Sequence, residues 1–62
     1  MCEATAYLVG NGKEKEIMKD VALVEVQGKR LTFRDILGNE KRLQAKIKKI
    51  DLIKHMVAVE EI

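Results

Sequence analysis

Short stretches of alternating apolar and polar residues, separated by glycine-containing turns, are the feature that most constrains the fold of this chain. Residues 2–9 alternate in this way, and one side of an extended segment would carry Cys2, Ala4, Ala6 and Leu8. A period of two predicts a half-buried strand rather than a helix. The segment Gly10-Asn11-Gly12 follows directly, and both residue types tolerate the positive φ of tight turns. The chain therefore opens with a predicted strand and a predicted turn.

The same pattern predicts a short strand or its lead-in over residues 14–18, and further strands along the chain over residues 21–27 and 30–35. Gln27-Gly28-Lys29 is expected to form a tight hairpin between the last two, with Leu31 and Phe33 pointing inward. Gly38-Asn39 is the next turn signal. After it we expect a short turn or 3₁₀ piece near 40–43, and then strands over 45–52 and 56–61.

Residues 40–54 are the ambiguous part of the chain, because Leu43, Ile47 and Ile50 also recur at helical spacing. The segment is rich in helix-forming residues. Its isoleucine content and the Met56-Val57-Ala58-Val59 run that follows favour a hairpin instead. The helix remains the alternative at this stage.

Five or six short strands on 62 residues predict a single all-β domain over 1–62, a small bent barrel or sandwich of the SH3-like or Hfq-like kind. A chain of this size buries only about 60% of its unfolded surface. One cysteine cannot form a disulfide within the chain, so stabilisation by a second copy or a metal is expected. The lone cysteine and the lack of a leader predict a cytoplasmic protein. No apolar run approaches the ~18 residues of a membrane span.

Cys2 is the candidate metal ligand, because it directly follows the initiator methionine. Methionine is normally trimmed before a small residue, and trimming would leave Cys2 with a free α-amine beside its thiol. Thiolate and nitrogen donors suit zinc, copper and nickel, and a square-planar set suits Ni(II) or Cu(II). The alternative is that Cys2 is a small apolar residue that opens the first strand. A single ligand residue does not decide between them.

A basic stretch over residues 41–54 offers a different function, that of a small RNA-binding module. It carries Lys41, Arg42, Lys46, Lys48, Lys49 and Lys54 against one acid, Asp51. Binders of single strands usually add stacking aromatic side chains. Here the aromatics are only Tyr7 and Phe33, and the net charge is only +2. A solvated surface is therefore the expected role, and nucleic-acid binding is not expected.

The sequence contains no constellation typical of an enzyme. It has no serine, and Cys2 with His55 would be the one possible nucleophile–base pair. A glycine-rich phosphate loop with its lysine is also missing. We therefore predict that the chain is not an enzyme.

The remaining candidate residues have structural interpretations. His55 is expected in the last hairpin turn, exposed and not a metal ligand. Asp51 is expected to point outward or to accept hydrogen bonds in a turn, and Glu3 to be a surface carboxylate. Met18 and Met56 are expected to fill the core.

The opening Met1-Cys2, the short β-rich chain and the end Ile47-Lys48-Lys49-Ile50-Asp51-Leu52 followed by Met56-Val57-Ala58-Val59-Glu60 together resemble the CooT family. These are small accessory proteins of carbon monoxide dehydrogenase maturation, and some members have been labelled RNA-binding. The resemblance implies a homodimer that binds one Ni(II) between its subunits through Cys2 of each. It also implies a metallochaperone-like role, with carbon monoxide dehydrogenase or its maturation proteins as partners.

Overall fold

The computed structural model describes residues 3–62, and within them the chain folds into five strands that close into a barrel. The strands are β1 Ala4–Gly10, β2 Lys13–Gln27, β3 Arg30–Asp35, β4 Glu40–Asp51 and β5 Met56–Glu61. No helix occurs among the described residues. The predicted small all-β barrel is confirmed, with five strands.

Neighbouring strands pair in sequence order and the first strand closes the barrel on the last. The four sequential pairs are antiparallel, whereas β1 and β5 run parallel. Register shifts interrupt three of the ladders, between β1 and β2, between β2 and β3, and between β4 and β5. Such bulges bend and twist a strand, which allows so short a sheet to close.

The core fills the inside of the barrel with side chains from all five strands. Phe33, Leu31 and Val59 are its largest fully buried side chains. The other members of the buried cluster are Ala6, Met18, Val21, Ala45 and Val57. The inward prediction for Leu31 and Phe33 is confirmed, and so is the core role of Met18. Met56 is only half-buried and lies outside that cluster, so its predicted core role is wrong.

β2 is one bent strand, whereas the sequence predicted two separate strands with a break after residue 18. Asp20 lies in the middle of β2 and has a left-handed backbone conformation, with a φ of 55°. Aspartate tolerates this conformation better than most residues. The bend at Asp20 passes the strand from one neighbour to the next, since Val21 pairs with Ala4 of β1 and with Asp35 of β3. No turn is needed at this point.

β4 begins at Glu40, so the predicted turn or 3₁₀ piece at 40–43 is wrong, and the helical alternative for 40–54 is not formed. Pairing with β3 explains the strand. Leu43 lies opposite Leu31, and Glu40 lies opposite Arg34 with a salt bridge of 2.6 Å between their side chains. The break in alternation after Ile47 is a register shift between Ile47 and Lys49. A bulge thus produces spacing that resembles a helix.

The other predicted elements agree with the structure within one or two residues. β3 and β5 have the predicted bounds, and β1 is described from Ala4 onward. Val24 packs against the core, but Val26 and Leu23 are exposed. None of the described residues forms a helix long and apolar enough to cross a membrane.

Candidate metal centre

The start of β1 is the place where the predicted ligand would enter the fold. Cys2 itself lies outside the described residues, which begin with Glu3. Glu3 is half-buried just before the strand, whereas a solvated surface carboxylate was expected. β1 begins at Ala4, which pairs with Val21 on one side. The described part of this candidate centre is therefore the strand that follows Cys2 in the sequence.

On its other side the start of β1 is joined to the turn before β5. The Thr5 N–H donates a hydrogen bond of 2.9 Å to the carbonyl oxygen of His55. The parallel ladder then runs from Thr5 opposite Met56 to Leu8 opposite Val59. The first residues of β1 are thus fixed on both sides.

The turn between β4 and β5 is organised by the Asp51 carboxylate. Its Oδ1 accepts hydrogen bonds from the backbone N–H groups of Ile53, at 3.1 Å, and Lys54, at 2.9 Å. The hydrogen bond from Lys54 is the main cause that holds the pKa of Asp51 below its ordinary value. The predicted turn-bonding role of Asp51 is confirmed.

His55 ends this turn with a φ of 52° and an exposed side chain. The prediction of an exposed turn residue is confirmed. Its contribution to the start of β1 is made by its backbone carbonyl and not by its imidazole.

Exposed apolar side chains surround this end of the barrel. Leu52 is 79% exposed and Ile53 is 90% exposed. Together with Ala4, Ile50 and His55, Leu52 lines a depression of about 330 Å³. Contiguous exposed apolar patches mark interaction surfaces, and Ile50, Leu52 and Ile53 are all exposed on this turn and the end of β4.

A second turn, between β3 and β4, is also stabilised by hydrogen bonds to an aspartate. Asp35 Oδ1 accepts hydrogen bonds of 2.9 Å from the N–H groups of Leu37 and Asn39. A side-chain hydrogen bond from Asn39 is the main cause that lowers the pKa of Asp35. Leu37 is 83% exposed, so this turn too presents an apolar side chain. In this turn the N–H of Ile36 donates a hydrogen bond to the carbonyl oxygen of Asp20 in β2.

The basic residues of the stretch 41–54 have several different partners. Lys41 Nζ donates to the carbonyl oxygen of Ile17, at 2.8 Å. Arg42 pairs with Glu40 at 3.0 Å, and Lys46 and Lys48 both approach Glu60 at 3.7 Å. Arg42, Lys46 and Lys48 therefore lie beside acids, and Lys41 lies beside a backbone carbonyl.

Within residues 3–62, no three side chains of the histidine, cysteine, aspartate and glutamate types come together in a way that could hold a metal ion. The sequence alone could indicate Asp51, since aspartate before a short turn commonly accepts backbone hydrogen bonds. It could not indicate the contact between Thr5 and His55, because that hydrogen bond joins two backbone groups and has no side-chain signal.

The fold and the candidate site together define a class of protein: a small closed β-barrel whose first strand is hydrogen-bonded to an exposed apolar turn. Residues 1–60 match the model of the family described as CO dehydrogenase accessory protein CooT. The chain belongs to the CooT family, as its resemblance to that family predicted.

Related proteins and a solved structure cover almost the whole chain. A crystal structure assigned to CooT from Carboxydothermus hydrogenoformans has a TM-score of 0.92 and 31% sequence identity, and the match covers 98% of each chain. An uncharacterized protein of Methanocaldococcus jannaschii is 33% identical over 60 residues, which are 97% of this chain and 98% of the relative. One from Methanothermobacter thermautotrophicus is 35% identical over 60 residues, 97% of this chain and 89% of the relative.

Proposed function

We propose that this chain is a cytoplasmic, metallochaperone-like accessory protein that carries nickel for carbon monoxide dehydrogenase. In this proposal two copies form a homodimer and hold one Ni(II) between them through Cys2 of each. The dehydrogenase or one of its maturation proteins receives the metal. The chain itself catalyses no reaction.

The observation that carries the proposal is the anchoring of the strand that follows Cys2. Hydrogen bonding of Thr5 to His55 and pairing of Ala4 with Val21 give that strand a fixed direction at its first residues. A ligand that leads directly into a fixed strand loses less conformational freedom when it binds a metal than one on a free terminus. Membership of the family described as CO dehydrogenase accessory protein CooT supports the accessory role, and nickel as the cargo is what the resemblance to that family implies.

The ligand inventory of the sequence supports a site shared between two copies. The chain has one cysteine and one histidine, and the histidine is directed outward on a turn. Two Cys2 thiolates with two backbone or α-amine nitrogens would complete the square plane that Ni(II) favours. Thiolate is the binding form, so metal binding should release protons and strengthen as pH rises.

The apolar turn beside the start of β1 supports dimerisation at this end of the barrel. Thr5 follows Cys2 by three positions and is bonded to the turn that presents Leu52 and Ile53. Two copies that bring their Cys2 residues together would bring these turns close as well. Burial of exposed leucine and isoleucine would contribute to the association.

The experiment is a Ni(II) titration of the wild type and of Cys2→Ser, followed by thiolate-to-nickel charge-transfer absorbance. We expect stoichiometric binding by the wild type and none by Cys2→Ser, with identical far-ultraviolet circular dichroism. Non-denaturing mass spectrometry with and without Ni(II) reports Met1 processing, dimer formation and metal count on the same sample. Binding by Cys2→Ser at the wild-type affinity would refute the proposal.

A further inference from the structure

The turn between β4 and β5 has little packing to fix its shape. Leu52 and Ile53 are almost fully exposed, so their side chains contribute few contacts. The conformation therefore depends on hydrogen bonds, and the Asp51 carboxylate accepts two of them from the turn backbone, at 3.1 and 2.9 Å. Short polar side chains that bond nearby backbone N–H groups stabilise turns of this kind.

The same turn presents the carbonyl group that receives the start of β1. His55 takes a left-handed conformation with a φ of 52°, and its carbonyl oxygen accepts the Thr5 N–H at 2.9 Å. Left-handed geometry is uncommon outside glycine, and histidine, like aspartate, adopts it more readily than most residues. The hydrogen bonds of Asp51 to Ile53 and Lys54 give the turn local support.

We infer that Asp51 is a positioning residue for the metal centre at Cys2, acting through the turn and the His55 carbonyl on Thr5. The inference rests on the proposed function for its metal and on the hydrogen bonds alone for its structural part. Asp51 does not contact the metal in this proposal. It holds the first residues of the strand that follows Cys2 in the sequence, and so acts less directly than outer partners that hydrogen-bond the metal ligands themselves.

Asp35 supplies a matched control within the chain. Its carboxylate also accepts two backbone hydrogen bonds from a turn with an exposed leucine. That turn is bonded to Asp20 of β2, whereas the Asp51 turn is bonded to Thr5 of β1. Loss of either carboxylate removes the same kind of turn stabilisation. Asp35 connects to β1 only through the backbone pairing of Val21 with Ala4, which does not use the Asp35 carboxylate, so loss of Asp51 should affect Thr5 more strongly.

The test compares Asp51→Ala, Asp51→Asn and Asp35→Ala by amide hydrogen exchange and by titration with Ni(II) alone. In Asp51→Ala we expect exchange at Thr5 to accelerate at least about tenfold more than exchange at Phe33, which reports opening of the core. We expect Ni(II) affinity to fall about tenfold, the lower end of the effect of outer-partner substitutions. Asp51→Asn should restore both values to within about threefold, because its amide oxygen accepts the same bonds. Asp35→Ala should change both by less than about threefold.

Each outcome bears on one part of the inference. Equal acceleration of Thr5 amide exchange in Asp51→Ala and Asp35→Ala would overturn the positioning role of Asp51, whether or not nickel binds. Accelerated Thr5 exchange with unchanged Ni(II) affinity would overturn the link to the metal. Failure of the wild type to bind Ni(II) would refute the proposed function and with it the link to the metal. The Thr5 exchange rates would still decide whether Asp51 holds the start of β1. Should Asp51→Ala not fold, Asp51→Ser, whose hydroxyl accepts turn bonds more weakly, is expected between the wild type and full loss.

Discussion

Lys41 Nζ lies 2.8 Å from the carbonyl oxygen of Ile17 and joins β4 to the first half of β2. This lysine is opposite Phe33 in the β3–β4 ladder, on the side of the sheet that faces the core. Its aliphatic stem can cover apolar surface while its ammonium group reaches a backbone acceptor. Lys41 is exposed, but its ammonium group joins two strands, so its role differs from that of the other basic residues of 41–54.

The surface charges of the basic stretch are expected not to form an RNA site. We predict that generic single-stranded RNA binds at or beyond the weak end of the ~10⁻⁴ to 10⁻⁶ M range of non-specific binders. The reason is that Lys46 and Lys48 lie beside Glu60 and Arg42 beside Glu40. Fluorescence anisotropy with a labelled oligonucleotide measures this for the wild type and for a variant with Lys46, Lys48, Lys49 and Lys54 changed to Gln. Lys41 is kept. Sub-micromolar binding that the Gln variant loses would favour the RNA function instead.

The stoichiometry of nickel binding is expected to be one Ni(II) for two chains. Replacing both Leu52 and Ile53 by Ser should weaken the dimer more than tenfold, since the two side chains are the most exposed apolar groups beside the start of β1. Ile36→Ser with Leu37→Ser makes the same pair of changes on the other turn, where both side chains are exposed, and serves as the control. Sedimentation equilibrium with and without Ni(II) measures both. A tightly bound metal on a monomer at micromolar concentration would contradict the shared site.

His55→Ala is expected to change Ni(II) affinity by less than about threefold, or under ~0.7 kcal/mol. The imidazole is exposed, and the group that contacts β1 is the His55 carbonyl, which alanine retains. Titration followed by charge-transfer absorbance compares the variant with the wild type. A tenfold loss would show that the imidazole reaches the metal.

Substitution in the core should have a far larger effect on stability than substitution of an apolar residue outside it. Phe33 is completely buried inside the barrel, and Phe33→Ala should cost about 3–5 kcal/mol. Val26→Ala is the control, because Val26 is largely exposed on β2 and should change stability by less than about 0.5 kcal/mol. Urea denaturation measures both. Similar midpoints for the two variants would contradict the assignment of the core.

Local alternation was sufficient to predict β1, β3 and β5, because core residues such as Leu31 with Phe33 and Val57 with Val59 are two positions apart. It did not predict that Thr32 and Ala58, which lie between them, are buried as well. It failed at Asp20, whose left-handed conformation lets one strand continue where two were predicted. It also failed at Glu40, since that residue becomes a strand start by pairing with Arg34 of β3. Pairing between strands is not a local property of the sequence. At the candidate site, the turn role of Asp51 was predictable from its residue type, whereas the Thr5–His55 contact between backbone groups was not.

Stability is expected to fall in acid through the two turn carboxylates. Hydrogen bonds hold the pKa of Asp51 and of Asp35 below the ordinary aspartate value in the folded state. The unfolded chain therefore binds protons at a higher pH than the folded chain does, and stability rises with pH across that interval. The contribution is complete above the ordinary pKa of about 4 and is lost as pH falls through the lower folded-state values.

This contribution to stability should be absent in the double variant Asp51→Asn with Asp35→Asn, because asparagine accepts the turn hydrogen bonds without titrating. Urea midpoints from about pH 2 to pH 7 should show a shallower acid slope in this double variant than in the wild type. Glu40→Gln is the control, since Arg34 lowers the pKa of Glu40 in the same way and its loss should remove a separate part of the slope. Parallel curves for the wild type and the aspartate double variant would contradict the assignment of the acid sensitivity to the turns.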